Sequence, residues 1–388
     1  MKLFHISDLH IGKQLHFYSL HDNQVEILNQ IVAMAEEHHP DAILIAGDVY
    51  DKSVPSAEAY AIFDQFLTDL SFITPSIPVL IIAGNHDSAE RLNYASSFLE
   101  KHNIYISVLP PQTEEERLKK VVIKDNHGTV NFYLLPFTKP GYVRHLFTEG
   151  TITSYDKAIS ALLEREQIDY RERNVLLSHQ FYIAGDMQPE TCDSEQVYLS
   201  VGGIDSVDIA SVKQFDYVAL GHLHGPQQLG EKHIRYSGTP LKYSVSEEKH
   251  KKAITLVTIG AKGDEISIDM LPLPALQDVR REKGTLSDII HRVTPENRKD
   301  FVSITLTDET DLYKPKEQLE EYYDYILEVK VENTRTRAQL EGTAGEATVL
   351  DPLEAFREFY QEINGEPMNS EEEKIIAEII DKVKEAEN

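Results

Sequence analysis

Apolar runs and helical stripes alternate along the first 110 residues. Leu3-Phe4-His5-Ile6 predicts a strand that ends at Ser7-Asp8. From Leu20 to Glu37, Val25, Leu28, Ile31, Val32 and Ala35 recur at helical spacing, and Pro40 stops the helix. Ala42-Ile43-Leu44-Ile45-Ala46 is apolar at every position, which predicts a strand covered on both faces. Ala59, Ile62, Phe63, Phe66, Leu67 and Leu70 mark a second helix, and Val79-Leu80-Ile81-Ile82-Ala83 another buried strand. Strand, helix, strand, helix, strand implies an α/β layer.

The middle of the chain is richer in strands. Val121–Ile123 and Val130–Leu135 flank Asn126-His127-Gly128, a hairpin turn. A helix near Tyr155–Glu166 precedes strands at Asn174–Ser178 and Tyr217–Leu220. Strands near His233–Tyr236, Ala253–Ile259 and Ile266–Leu271 are expected to complete a second sheet. Past Pro272 and Pro274 the pattern becomes strand, helix (Leu286–Val293), strand (Phe301–Leu306), helix (Pro315–Tyr323), strand (Tyr325–Val331). This divides the chain into a main α/β unit over 1–275, a small α+β unit over 276–333, a polar linker over 334–350 and a tail over 351–388. In the tail, Asp351-Pro352 starts one helix, with Leu353, Phe356, Tyr360 and Ile363 on one face, and Asn364-Gly365 ends it. Ser370 with Glu373 caps a second, whose stripe is Ile375, Ile376, Ile379, Ile380 and Val383. Two helices with narrow stripes suit docking on a partner helix pair as well as on their own domain.

Composition narrows the class. At 388 residues and 41% hydrophobic, the chain can build substantial cores. No apolar run reaches the about 18 residues that cross a bilayer, and the N-terminus lacks the pattern of a secretory signal. The single Cys192 excludes a disulfide framework and a cysteine-cluster zinc site, and fits a reducing cytoplasm. With 38 basic and 65 acidic residues the net charge is −27, which argues against coating nucleic acid by bulk charge. A local basic groove, or metal ions at the contact, stays compatible with it. The tail from Asp351 has four basic and twelve acidic residues, a net −8.

The chemistry sits where the buried strands end. They terminate at Ser7-Asp8-Leu9-His10, Gly47-Asp48-Val49-Tyr50-Asp51, Gly84-Asn85-His86-Asp87, Ser178-His179 and Gly221-His222-Leu223-His224. Sites of α/β sheets assemble at that edge. Asp8, His10, Asp48, Asn85, His179, His222 and His224 offer seven oxygen and imidazole donors. Such donors suit manganese, iron or zinc. They exceed the needs of one ion and match two that share a carboxylate, an arrangement that clamps both oxygens of a phosphoryl displacement. His16, just behind the first motif, is a candidate substrate contact, and the other histidines outside these strand ends are read as surface or packing residues.

These five blocks, in this order, resemble the calcineurin-like metallophosphoesterase superfamily. The opening Phe4–Gly12, the stretch Tyr236–Ser244 and the later α+β unit and tail resemble more narrowly the nuclease subunits that pair with an SMC-like ATPase in bacterial DNA repair. The likeness covers the whole chain, strongest over 1–260. It implies a two-sheet α/β sandwich with a small α+β capping domain and a C-terminal helical tail. It implies one metal on Asp8, His10, Asp48 and His224 and a second on Asp48, Asn85, His179 and His222, with Mn2+ as the ion. His86 would be the catalytic histidine that binds no metal, Asp87 would orient it, and Asp51 would hold a ligand or loop. Lys242, Lys249, Lys251 and Lys252 would be candidate phosphate contacts. The activity implied is 3′–5′ exonuclease and hairpin or blocked-end endonuclease action on DNA, in a homodimer within a heterotetramer. A small-molecule or cyclic-nucleotide phosphodiesterase would carry the same motifs, usually without the cap and tail.

Overall fold

The computed structural model of the chain describes residues 1–185, 187–195, 206–310 and 312–334, with 353, 356–357, 360–361, 367–369, 372–377 and 380 beyond them. Successive side chains on a strand point to opposite faces, and the buried strands here fill both. Phe4, Ile6, Ile43 and Ile45 pack with Ile31, Ala35, Ile62 and Phe66 of the helices His21–His38 and Ala57–Phe72. Leu3, Leu44 and Ala46 face the other way, onto Phe132, Leu134, Val175, Leu177 and Tyr217 of a second sheet. That sheet's far face is covered by Ile159 and Leu162 of the helix Tyr155–Arg165. The main unit is therefore helix, sheet, sheet, helix.

Each sheet has six strands. In the first, Lys2–Ile6, Ala42–Ala46, Val79–Ile82 and Ile104–Ser107 run parallel in that order. In the second, Gly128–Leu135, Arg173–His179, Tyr217–Gly221 and Glu231–Tyr236 do the same, with antiparallel edges at Lys119–Asp125 and Gln227–Leu229. Two features depart from expectation. Ala253–Thr258 and Ser267–Pro272 do not join the second sheet; they pair antiparallel against Lys2–Ile6 in the first. The strand Ile104–Ser107 was not predicted, being too short to show alternation.

The later α+β unit follows the predicted pattern. Val279–Gly284, Phe301–Leu306 and Tyr325–Val331 form a parallel three-stranded sheet around its own core, which includes Ile289, Ile304, Leu319 and Tyr323. It is pinned to the main unit by a small hairpin, Gln14–Leu15 with Tyr18–Ser19. Tyr18 lies against Phe301 and Tyr325, and its hydroxyl donates to the Ile326 carbonyl (3.3 Å). Asn23 and Gln277 add a side-chain bond of 2.5 Å.

In the tail, the described residues 353, 356–357, 360–361, 372–377 and 380 are helical. The Tyr360 hydroxyl donates to Glu372 (3.0 Å) and Arg357 pairs with Glu373. Asn369 caps the second group, its Oδ1 accepting from the Glu372 N–H (3.0 Å). The predicted start at Asp351-Pro352, the Asn364-Gly365 stop, the Ser370 cap and the linker past 334 lie outside the described residues. No helix among the described residues is long and apolar enough to cross a membrane.

Candidate metal centre

Because the central strands of both sheets end at one edge, their terminal loops converge. Backbone bonds knit the first two loops: Asp8 N–H to Gly47 O (2.9 Å), His10 N–H to Asp48 O (3.0 Å) and Ile11 N–H to Val49 O (2.9 Å). The chain turns sharply there. Asp8 (φ +52°), His10 (+43°), Asp48 (+49°) and His222 (+101°) all sit in the left-handed region. Non-glycine residues held there store backbone strain, and such positions cluster at functional sites. Gly84 and Gly221 are required by close approach. A Cβ at Gly84 would collide with the Asp48 carboxylate, and one at Gly221 with the Ala46 carbonyl.

All seven predicted donors meet in one cleft. His10 Nε2 and His224 Nε2 are 3.2 Å apart, and Asp8 groups with both. Asp48 Oδ2 lies 3.4 Å from His179 Nε2 and 3.7 Å from His10 Nε2, and Asp8 groups with Asp48 and His179 as well. Asn85 Oδ1 faces His179 Nε2 (3.1 Å) and His222 Nδ1 (2.9 Å). Asp8 and Asp48 are thus both central, each shared between neighbouring groups of donors. The Asp8 carboxylate also accepts from Ser7 Oγ and from the His222 N–H (3.0 Å).

The protonation pattern fits a cation centre. Burial lowers His222 to about 3 and His224 to about 4, so both imidazoles are neutral and offer lone pairs. The facing Nε2 atoms of His10 and His224, 3.2 Å apart, are joined by one ring N–H that a bound ion would displace. Burial would also lower His179, but Asp48 outweighs it and raises His179 to about 9. Burial would raise Asp48, yet the surrounding imidazoles hold it well below the carboxylate range. Burial, reinforced by Asp48, pushes Asp8 up to about 8. A ligating ion must therefore expel protons from Asp8 and His179. Affinity for divalent ions should rise between roughly pH 7 and 9, with about one proton released per ion and two for the filled pair. Titration calorimetry in buffers of different ionisation enthalpy reads that release. An isotherm flat across that range would contradict it.

Comparisons with known proteins assign the chain to a family. The calcineurin-like phosphoesterase family matches residues 1–226. A second family, described as the type 5 capsule protein repressor C-terminal domain, matches residues 275–364. SbcD of the SbcCD nuclease from Staphylococcus epidermidis is 34% identical over 330 residues, 84% of either chain. Its counterpart from Staphylococcus saprophyticus is 31% identical over 383 residues, 98% of either chain. The chain belongs to the calcineurin-like phosphoesterases, in the SbcD family of SbcCD nucleases. Among solved structures, a dimetal phosphatase from Danio rerio is similar at 12% identity and a TM-score of 0.39, covering 71% of this chain and 96% of that one.

Within this phosphoesterase, several roles suggested by the sequence fall to other residues. Asp87 does not touch His86. Its carboxylate accepts from the N–H groups of Gly84 (2.9 Å), Tyr50 (3.0 Å) and Val49 (3.1 Å), tying two strand-end loops together. Burial and the nearby Asp48 raise it to about 6 even so. The His86 ring is held instead by the Asp51 backbone carbonyl, 2.8 Å from Nδ1. The Asp51 side chain takes Lys13 Nζ (2.7 Å) and lies 3.5 Å from His10 Nδ1. Lys242 is not free for phosphate: its ammonium is used by the Glu248 carbonyl (2.6 Å) and Asp278 (2.8 Å), across the seam to the α+β unit. Lys252 is likewise buried against Glu247, whereas Lys249 and Lys251 are exposed. His16 (φ +54°) is exposed in the turn of the docking hairpin.

Supporting residues went unread in the sequence. Gln24 braces the first loop, its Nε2 donating to the His10 carbonyl (2.8 Å) and its Oε1 accepting from Gly12 N–H (2.9 Å). Tyr243 donates to the Leu9 carbonyl. A signal for Gln24 existed: with Asn23 it is a polar residue at the start of a buried helix stripe that is otherwise apolar. Glu247 gave no such signal, since it lies among polar residues in the sequence and only the fold buries it.

Proposed function

We propose that this chain is the metal-dependent DNA nuclease component of an SbcCD-type complex, cutting 3′–5′ from ends and endonucleolytically at hairpins and blocked ends. What carries the reading is seven donors and His86 gathered at one sheet edge, in a chain 31–34% identical over most of its length to nucleases of that name. Two divalent ions, Mn2+ by the family's pattern, would be held by Asp8, His10, Asp48 and His224, and by Asp48, Asn85, His179 and His222. Both groups of side chains meet within the cleft. Bound ions would neutralise the scissile phosphate and activate the attacking water. The chain's own part is positional. His86 Nδ1–H donates to the Asp51 carbonyl, which leaves Nε2 to face the cleft. As the imidazolium, with a second proton on Nε2, it would donate to phosphate oxygen as charge develops and pass that Nε2 proton to the leaving oxygen, ending as the neutral Nδ1–H ring. Asp87 keeps the His86 loop closed on the Asp48 loop through its three backbone bonds.

The chain divides into a nuclease domain (1–275), a DNA-binding cap (276–333), a linker (334–350) and a tail (351–388) that docks on an SbcC-type SMC-like ATPase. The complex is cytoplasmic and built on a homodimer within a heterotetramer. Exposed Phe72, Tyr94 and Phe98, beside a shallow apolar cleft lined by Tyr60 and Phe63, support pairing of nuclease domains. Metals and the partner would offset the −27 net charge at the DNA. Deleting residues from Asp351 onward should leave hairpin cleavage within a few-fold of wild type and abolish co-purification with the ATPase. Undiminished capture of the partner would refute the tail assignment. The second reading, a small-molecule phosphodiesterase, gains ground only if bis-p-nitrophenyl phosphate is hydrolysed while hairpin DNA is left intact in the presence of the ATPase.

A further inference from the structure

His224 is held at three points, its ring Nδ1, its N–H and its carbonyl. Glu247, fully buried, stands beside the ring. Its Oε1 lies 3.4 Å from His224 Nδ1 and accepts from Ser194 Oγ (2.6 Å) and Tyr243 N–H (3.0 Å). Its Oε2 accepts from Lys252 Nζ (2.6 Å) and Thr239 Oγ1 (3.2 Å). The Ser194 hydroxyl also meets His224 Nδ1 at 2.8 Å, so it bridges ring and carboxylate. The main chain of His224 is fixed at both ends. Its N–H donates to Glu195 (2.5 Å), and its carbonyl accepts from Lys252 Nζ (2.9 Å).

We propose that Glu247 is a positioning residue for the first metal: with Ser194 it takes the Nδ1–H of His224, fixing the tautomer that presents Nε2 to the ion. This rests on the two-metal reading above. The physical argument is that a carboxylate on the remote imidazole nitrogen orients the ring and makes the ligating nitrogen more basic. A buried anion needs a counter-charge to survive without water, and Lys252 supplies it at 2.6 Å. Lys252 also grips the His224 carbonyl, so the same ion pair secures the ring and its backbone. Glu247 thereby ties three segments distant in sequence, around Ser194, His224 and Lys252, to one coordination position. No thiol or other nucleophile is invoked; the effect is on occupancy.

The test uses the full chain and Mn2+ alone, followed by titration calorimetry and by electron paramagnetic resonance, which separates a lone Mn2+ from an exchange-coupled pair. Wild type should bind two ions and show the coupled spectrum. Glu247→Gln should bind one ion as before and the other about 10- to 100-fold more weakly, so that the coupled signal appears only at correspondingly higher Mn2+. His224→Ala should lose the same ion, and Glu247→Gln added to it should cause no further loss. Because Glu247→Gln strands the Lys252 ammonium, Glu247→Gln/Lys252→Met is made beside it, and thermal unfolding without metal checks that each variant is folded. Unchanged affinity at both positions in a folded variant overturns the proposal, as does a further loss in the His224→Ala background. A wild type that binds fewer than two ions overturns the two-metal reading itself, and the proposal with it.

Discussion

Asp48→Ala should abolish Mn2+-dependent cleavage of an end-labelled DNA hairpin, by about a thousand-fold or more. Asp48 is shared between neighbouring groups of donors. Asp48 Oδ2 lies within 3.4–4.0 Å of His179, His10 and His86, and its Oδ1 accepts from the His86 N–H (2.9 Å). Removing the carboxylate takes away a ligand both metal positions need, the anion that keeps His179 charged in the free site, and the anchor of the loop bearing His86. Alanine also suits the left-handed backbone at this position poorly, since φ is +49°. Asp48→Asn separates these effects, because asparagine tolerates that conformation. Bound manganese after dialysis and cleavage rate should fall together in both variants. Cleavage in Asp48→Asn within ten-fold of wild type would assign the loss to the backbone rather than the carboxylate.

His86→Ser should leave bound metal at the wild-type level and lower kcat by about 10²- to 10⁴-fold, the range for removing a positioned proton donor. His86 groups with His10 and Asp48, but its Nδ1 is taken by the Asp51 carbonyl, and the seven donors complete both proposed coordination sets without it. Serine keeps the backbone N–H that bonds Asp48. The loss should appear in kcat with KM little changed, because the imidazole acts on charge that develops during the reaction. Loss of bound metal from this variant would place His86 among the ligands and overturn its assignment. The Asp51 carbonyl, not Asp87, sets the ring's orientation. Asp87 substitutions should therefore act by loosening the loops around Gly84 and Tyr50.

The donors themselves were legible in the sequence. Each lies at or just past the end of a largely apolar run, and a strand covered on both faces must deliver its next polar residues to the sheet's edge. The same patterning predicted both helices over the first sheet and the order of the later α+β unit, since helix and strand periods are local properties of the chain. Other features depended on contacts between distant segments. Ala253–Thr258 has the alternation of any strand, and nothing in it states that Lys2–Ile6 will be its partner. Lys242 and Lys252 read as free cations until Asp278 and Glu247 are brought to them. Asp87 sits beside His86 in sequence, yet the strand-end turn sends its carboxylate to three backbone N–H groups instead. Sequence alone thus determined which residues could ligate metal and at which edge they lie, because burial and period are written locally. Tertiary structure decided what holds each ligand in place, because a buried polar group takes the nearest donor or acceptor in space, whatever its place along the chain.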